Sequence, residues 1–417
     1  MIGVGEALRL TLEAAPQLDT ERILLDAALG RVAAEAVHSL RAVPGFDNSA
    51  MDGFAVRAVD VTGPGVQLRV VGTQAAGSVA DLRLQPGTAV RVFTGSLLPD
   101  AADAVVKVED TTTQGDTVTV HAAVRAGTNV RRAGEDIAPG AVVVSPGTTI
   151  GPADLGLLAS IGRASVVVCR RPRVAIVPTG AELVELDVAP GRGQVVNSNA
   201  YALAAAVRLA GGEPTVLPIV GDAPAELRAR LEEAARADLV LSSGGVSVGD
   251  CDFVKEALDA IGVARVFWKV AQKPGKPLTV GRRGDCLFVG LPGNPVSALV
   301  CFWVYVWPAL RRMGGHRRVH LPAVDAVLAA DVHKAPGLTE FLRVHLEAAP
   351  AGGWRAVPFA AQGSAVLSSL GRGAALLVGP ASERLLRAGN PYRVLVPMPD
   401  TVLASAASPL APEGDAC

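Results

Sequence analysis

Residues 238–252 of this 417-residue chain, Asp-Leu-Val-Leu-Ser-Ser-Gly-Gly-Val-Ser-Val-Gly-Asp-Cys-Asp, constrain its fold more than any other stretch. Leu239-Val240-Leu241 is apolar without alternation, which suits a strand covered on both faces. The run breaks at Gly244, Gly245 and Gly249, with Ser247 among them, and a helical pattern begins at Phe253. Glycines after a strand let the backbone approach a ligand and turn its N–H groups toward an anion. The helix that follows adds the positive end of its dipole. Asp250 and Asp252 could each cap that helix or hold a divalent cation. An ordinary strand-to-helix turn carries the same Gly-Gly pair, so the surrounding segments decide the reading.

Those segments repeat the pattern. Val174-Ala-Ile-Val177, residues 216–220 and Cys286-Leu-Phe-Val289 are further apolar strands, and residues 199–209, 223–235, 253–261 and 296–310 carry helical spacing. Apolar strands alternating with helices predict a doubly wound parallel sheet, whose ligands sit beyond the carboxyl ends of the strands. Thr179-Gly-Ala-Glu182, Gly244-Gly245 and Pro292-Gly-Asn-Pro295 all fall there.

The flanking regions read differently. Residues 3–15 and 20–37 show apolar residues three and four apart, predicting two helices. Pro44-Gly-Phe-Asp-Asn-Ser-Ala-Met-Asp-Gly-Phe-Ala-Val56 packs Asp47 and Asp52 between turn-formers, and read alone it favours a tight turn network over a site. Short alternating strands follow, and then Thr94-Gly95 and Arg131-Arg-Ala-Gly-Glu-Asp136, the last of which could be only a surface ion pair. A proline-started helix near Pro152 returns the chain to mixed structure. The expected domains are a discontinuous helical and mixed N-terminal domain (1–43 and 138–171), an inserted β-rich domain (44–137), the α/β domain (172–316), a C-terminal β-barrel (317–401) and a tail (402–417).

Composition narrows the function. A formal charge of −1 gives no general attraction to nucleic acid or anionic membrane. The five cysteines show no C-x-x-C spacing and read as reduced thiols of a cytoplasmic protein. The N-terminus lacks a signal-peptide pattern, and the apolar run 296–310 is too short to span a bilayer. Arginine is heavily favoured over lysine, yet Lys269, Lys273 and Lys276 crowd into Trp-Lys-Val-Ala-Gln-Lys-Pro-Gly-Lys-Pro. Ammonium groups held on a Pro-Gly loop suit a phosphate or oxoanion, although a solvated basic loop has the same composition. With Glu182, Asp222, Asp250 and Asp252 nearby, the set suggests a phosphate-bearing ligand and a carboxylate-bound hard cation.

Phe46-Asp-Asn-Ser-Ala-Met-Asp-Gly-Phe-Ala, Arg91-Val-Phe-Thr-Gly, Gly134-Glu-Asp, Thr179-Gly-Ala-Glu-Leu, Ser242-Ser-Gly-Gly-Val-Ser-Val-Gly-Asp, Lys273-Pro-Gly-Lys-Pro and Leu291-Pro-Gly-Asn-Pro-Val-Ser resemble, in this order, the molybdenum insertases. That is the MoeA type, also found as one domain of gephyrin, and the likeness runs over residues 3–398. It implies an elongated four-domain homodimer that inserts molybdate into adenylylated molybdopterin and releases AMP. It implies that Asp52, Thr94 and Asp136 face the sheet domain of the partner subunit. Glu182, Asp222, Asp252, Lys269 and Lys273 would line the site from that domain, shaped by Pro292 and Pro295. Gly293, Asn294 and Ser297 of the same motif, with Gly244, Gly245, Ser247, Gly249 and Lys276, are the expected substrate-binding positions. Magnesium is the implied metal, with Asp52, Asp222 and Asp252 as its expected ligands. Arg343 and Ser364 are expected to complete a molybdate pocket opposite Lys273 and Lys276, although a plain surface strand accounts for Arg343 as well. The molybdopterin adenylyltransferase and apo-molybdoenzymes are expected partners.

The departures are few. Ala181 stands where the family often has an acid, and Gly363-Ser364-Ala365 and residues 372–377 follow the family pattern loosely. Two other readings compete: a molybdopterin adenylyltransferase, which shares the sheet domain, and a non-catalytic gephyrin-like scaffold. The three additional domains and Val246-Ser-Val after Gly-Gly favour insertion over the first, and no linker or extra domain supports the second.

Overall fold

The computed structural model describes residues 1–399 apart from 222, 245–252, 350–351 and 372. It contains two compact units, Arg22–Val168 and Met1–Glu21 with Cys169–Cys417.

In the smaller unit a six-stranded sheet has the order Ala104–Lys107, Gly53–Val56, Thr88–Val92, Val66–Gln74, Thr117–Val120, Thr111–Gln114. Alternating residues feed two cores, Phe54, Val56 and Val106 on one side and Ala55, Val90 and Val105 on the other. A separate core gathers Ala28, Val37, Ile137, Ile150, Leu158 and Val166, so the chain leaves it before the sheet and returns afterwards. Helix Pro152–Ser160 starts as its sequence indicates, with proline in the first turn and Asp154 accepting the Gly151 N–H at 2.8 Å.

The helix expected over residues 20–37 is absent. Thr20–Leu24 is a strand, Leu25–Ala27 a single 3₁₀ turn, and Val32 and Ala33 bridge to Thr149 and Val168. Leu24 and Leu29 are 65% and 56% exposed, so their helical spacing marks no buried face. Pairing with distant strands outweighs the weak local preference.

The larger unit opens with helix α1 (Val4–Ala14), which the sequence groups with the N-terminal scaffold. Its Ala7 and Ala14 instead pack into the core of the sheet domain. Seven of the strands that follow are β1 (Arg173–Pro178), β2 (Glu213–Val216), β3 (Leu239–Ser243), β4 (Ala264–Trp268), β5 (Gln272–Lys273), β6 (Thr279–Arg283) and β7 (Cys286–Leu291). Six of them form a sheet in the order β2-β1-β3-β7-β6-β4. Val174, Ile176, Leu239, Leu241, Leu287 and Val289 face one helical layer, while Ala175, Val177, Val240 and Phe288 face the other. The apolar strands are thus covered on both faces, and each fully buried Leu or Val contributes about 1.5–3 kcal/mol. Helices α2 (Ser198–Leu209), α3 (Pro224–Ala234) and α4 (Phe253–Ala260) provide part of that cover. The rest comes from α5 (Pro295–Cys301), a π turn over Phe302–Val306 and α6 (Trp307–Met313).

The sheet is parallel only from β2 to β7. Arg283 pairs with Cys286 across a two-residue turn, so β6 folds back antiparallel to β7 and β4. Gly284, at φ +56°, supplies the left-handed position of that hairpin.

The C-terminal strands are β8 (Ala323–Leu328), β9 (Thr339–Ala348), β10 (Trp354–Pro358), β11 (Ala375–Gly379) and β12 (Pro391–Leu395). They run in the order β9-β10-β8-β12-β11, and β11 pairs back to β9, closing a five-stranded barrel. β5 leaves the sheet domain and pairs in parallel with β9, Lys273 opposite Glu340. Among the described residues, no helix is long and apolar enough to cross a membrane.

Candidate active site

The carboxyl ends of β1, β3 and β7 open into a cavity of about 610 Å³. Thr179, Glu182, Asn199, Gly244, Asn294 and Ala365 are among its walls. Gly244 must be glycine: its φ is +109°, and a Cβ there would lie 2.3 Å from the Thr179 carbonyl oxygen. Glu182 folds back over Gly180 and puts a carboxylate in the wall. Pro292, Gly293, Asn294 and Pro295 line the cavity as the sequence indicates, whereas Ser297 of the same motif is buried and absent from the lining.

Two asparagines that the sequence reading passed over organise this cavity. Asn197 caps α2, its side-chain oxygen accepting the Ala200 N–H at 3.3 Å, and its Nδ2 is buried without a partner. Asn199 Nδ2 donates to Ser243 Oγ at 3.0 Å and to the Gly293 carbonyl at 2.7 Å. One amide therefore ties the carboxyl end of β3 to the loop after β7. The sequence signal was the Asn-Ser-Asn ahead of an apolar helix, a capping pattern.

The barrel contributes to the same cavity. Ala365 lies in its wall, and Asn294 Nδ2 donates to Ser364 Oγ at 2.8 Å. Arg343 is neither a surface strand residue nor a group open to solvent, being 1% exposed. Its Nη2 donates to the carbonyls of Ala361 and Gly363 at 3.0 and 3.1 Å, and burial pushes its pKa down. Arg343 thus holds the Ala361–Gly363 backbone leading into Ser364.

Lys273, the last residue of β5, and Lys276, on the loop that follows, are exposed, and Pro277 lines the cavity. Lys273 Nζ lies 3.0 Å from Glu340 Oε1, a pairing that the β5–β9 register produces. Lys269 adopts φ +64° and sets its ammonium 3.7 Å from the centre of the Trp268 ring, a cation–π contact.

In the smaller unit Asp52 and Thr94 come together: the Thr94 N–H and hydroxyl both donate to Asp52 Oδ1, at 2.7 and 2.8 Å. These bonds hold the Asp52 carboxyl below its ordinary pKa. Arg132 turns away from the neighbouring acids and pairs with Asp47 at 2.5 Å, while Glu135 accepts the Arg132 backbone N–H. Asp136 is exposed, its backbone N–H bonded to Val43. Asp222, Gly245, Ser247, Gly249, Asp250 and Asp252 lie outside the described residues. Among those described, no cluster of three or more His, Cys, Asp or Glu side chains could hold a metal.

Three family models match in order: the MoeA N-terminal region (domains I and II) over residues 2–162, a probable molybdopterin-binding domain over 175–312, and the MoeA C-terminal region (domain IV) over 325–396. The molybdopterin molybdenumtransferase of Nostoc sp. is 39% identical over 402 residues, 91% of this chain and 89% of the relative. Molybdopterin molybdenumtransferase 2 of Mycobacterium tuberculosis is 40% identical over 359 residues, 83% of this chain and 88% of its own length. A solved molybdopterin biosynthesis MoeA protein from Pyrococcus horikoshii superposes with a TM-score of 0.83 at 31% identity, covering 95% of this chain and all of that one.

Proposed function

The chain belongs to the MoeA family, and on that premise we propose that it is a molybdopterin molybdenumtransferase, inserting molybdate into adenylylated molybdopterin with release of AMP. The observation that carries insertion over adenylyl transfer is the barrel's share in the cavity, through Ala365 and the Asn294–Ser364 bond. A lone sheet domain could bind a pterin nucleotide beyond its strands, but it lacks that second wall. On this reading the glycine loop and the 292–295 loop hold the nucleotide part. Lys273 and Lys276 supply fixed positive charge for the molybdate dianion. Glu182 contributes a charged group to the wall, placed to orient a polar group of the substrate.

Asp52 is ionised and exposed, and among the described residues it is bonded only through Oδ1, which is donor chemistry that a hard cation takes. We therefore assign magnesium to Asp52 with Asp222 and Asp252; bound there it would neutralise charge on the pyrophosphate. Following the family likeness, Asp52, Thr94 and Asp136 are assigned to the site of a second copy of the chain, which makes the enzyme a homodimer. A cytoplasmic location and hand-over to apo-molybdoenzymes complete the reading. The test is to incubate purified protein with adenylylated molybdopterin, magnesium and molybdate, then add a cofactor-free molybdoenzyme. Restored activity of that enzyme is expected; none above a protein-free control contradicts the proposal.

A further inference from the structure

The loop bearing Lys273 and Lys276 rests on a buried polar chain inside an otherwise apolar helical layer. Gln272 is 1% exposed, and Cys301 and Tyr305 are fully buried. The Tyr305 hydroxyl donates to Gln272 Oε1. Gln272 Nε2 donates to the Pro274 carbonyl at 3.0 Å and to Cys301 Sγ at 3.5 Å, and Cys301 Sγ donates to the Gly275 carbonyl at 3.5 Å. The chain thus ends on the backbone of the two residues that separate the lysines. Gly275, at φ +93°, lies so close that a Cβ there would stand 2.4 Å from Cys301 Sγ and 2.7 Å from Gln272 Nε2.

The helix itself is altered at this point. It widens into a π turn over Phe302–Val306, which contains Tyr305. Such turns are rare and recur at functional sites, because they re-aim a side chain at the cost of regular bonding. Burial also pushes the Cys301 and Tyr305 pKa values up, so both remain protonated donors across the working pH range. A layer that needed only packing would be served by apolar residues, since burying three polar side chains costs free energy unless every one is bonded.

We propose that Gln272, Tyr305 and Cys301 form a positioning unit that fixes the spacing and aim of Lys273 and Lys276, and so sets the affinity for the oxoanion substrate. The inference rests on the reading that these lysines receive molybdate. None of the three touches substrate; they act through the Pro274 and Gly275 carbonyls.

The test uses the full-length protein and the near-isosteric variants Gln272→Met and Tyr305→Phe, with Lys273→Ala as the reference. AMP release is measured against molybdate at saturating adenylylated molybdopterin, and then against adenylylated molybdopterin at saturating molybdate. Losing one or two neutral hydrogen bonds should raise half-saturating molybdate about three- to tenfold. The half-saturating pterin concentration should stay within about twofold. Variants that unfold at lower temperature but keep the wild-type molybdate dependence overturn the proposal, because the network would then be packing alone. Equal weakening toward both substrates overturns it as well. If Lys273→Ala shifts the molybdate dependence and neither variant does, only this inference falls. If Lys273→Ala leaves it unshifted, the anion role of the loop falls with it. Tyr305→Phe removes a single oxygen and carries the test should Gln272→Met fold poorly.

Discussion

Replacing Asn199 by alanine removes the two bonds that tie the carboxyl end of β3 to the loop after β7, 3.0 Å to Ser243 Oγ and 2.7 Å to the Gly293 carbonyl. A net intramolecular hydrogen bond is worth about 0.5–1.5 kcal/mol, and Asn199 is only half-buried, so water replaces part of the loss. About 1–2 kcal/mol is left. If that energy holds the two segments in the geometry that binds the reacting substrate, kcat/KM for AMP release should fall about five- to thirtyfold. Asn199→Asp should be worse than Asn199→Ala, because a carboxylate cannot donate and would face the Gly293 carbonyl oxygen. The assay is steady-state AMP release, with thermal unfolding alongside. An Asn199→Ala protein within twofold of wild type, or an Asn199→Asp protein equal to it, would refute this tie as a functional element.

Three further outcomes follow from the same geometry. Gly244→Ala must fit a Cβ 2.3 Å from the Thr179 carbonyl at φ +109°, so it should cost about 3 kcal/mol or more and abolish turnover, read by thermal unfolding and AMP release. Burial alone would raise the Asp238 pKa, but bonds from Arg170 and Arg173 outweigh it and hold the carboxyl low. Its contribution, about 2–3 kcal/mol after discounting the half-exposed Arg173, is present above the unfolded pKa near 3.9 and lost as pH falls through the lower folded value. The stability gap between wild type and Asp238→Asn should therefore be full at pH 7 and shrink below about pH 4; an undiminished gap at pH 3 in urea unfolding contradicts this. On the proposed homodimer, in which Asp52 of one copy serves the site of the other, mixing Asp52→Ala with Lys273→Ala chains should restore AMP release; no restoration, or an active monomer by light scattering, removes that proposal.

Much of this architecture was legible because buried strands leave a strong pattern. Leu239-Val240-Leu241 and Val174-Ala-Ile-Val177 have no polar face, and Thr179, Glu182 and Gly244, just beyond their carboxyl ends, line the cavity. The failures share a cause, since each depends on partners far away in sequence. Residues 20–37 carry helical spacing but are drawn into pairing with Thr149 and Val168. The antiparallel β6 is set by a two-residue hairpin inside what reads as one alternating series. Arg343 sits on an alternating strand, and only closure of the barrel shows that its guanidinium turns inward to the Ala361 and Gly363 carbonyls. Tyr305 is one residue in a long apolar run, and nothing in that run discloses the π turn or the bond to Gln272.

On the proposed function this cavity consumes adenylylated molybdopterin and does not make it. The most direct measurement is AMP followed in a single turnover of purified protein, with and without molybdate, beside a parallel incubation with molybdopterin and ATP. AMP release close to one per adenylylated pterin and dependent on molybdate is expected, with no ATP consumed in the parallel tube. AMP release indifferent to molybdate, or ATP consumed with an adenylyl group joined to molybdopterin, would contradict the proposed function.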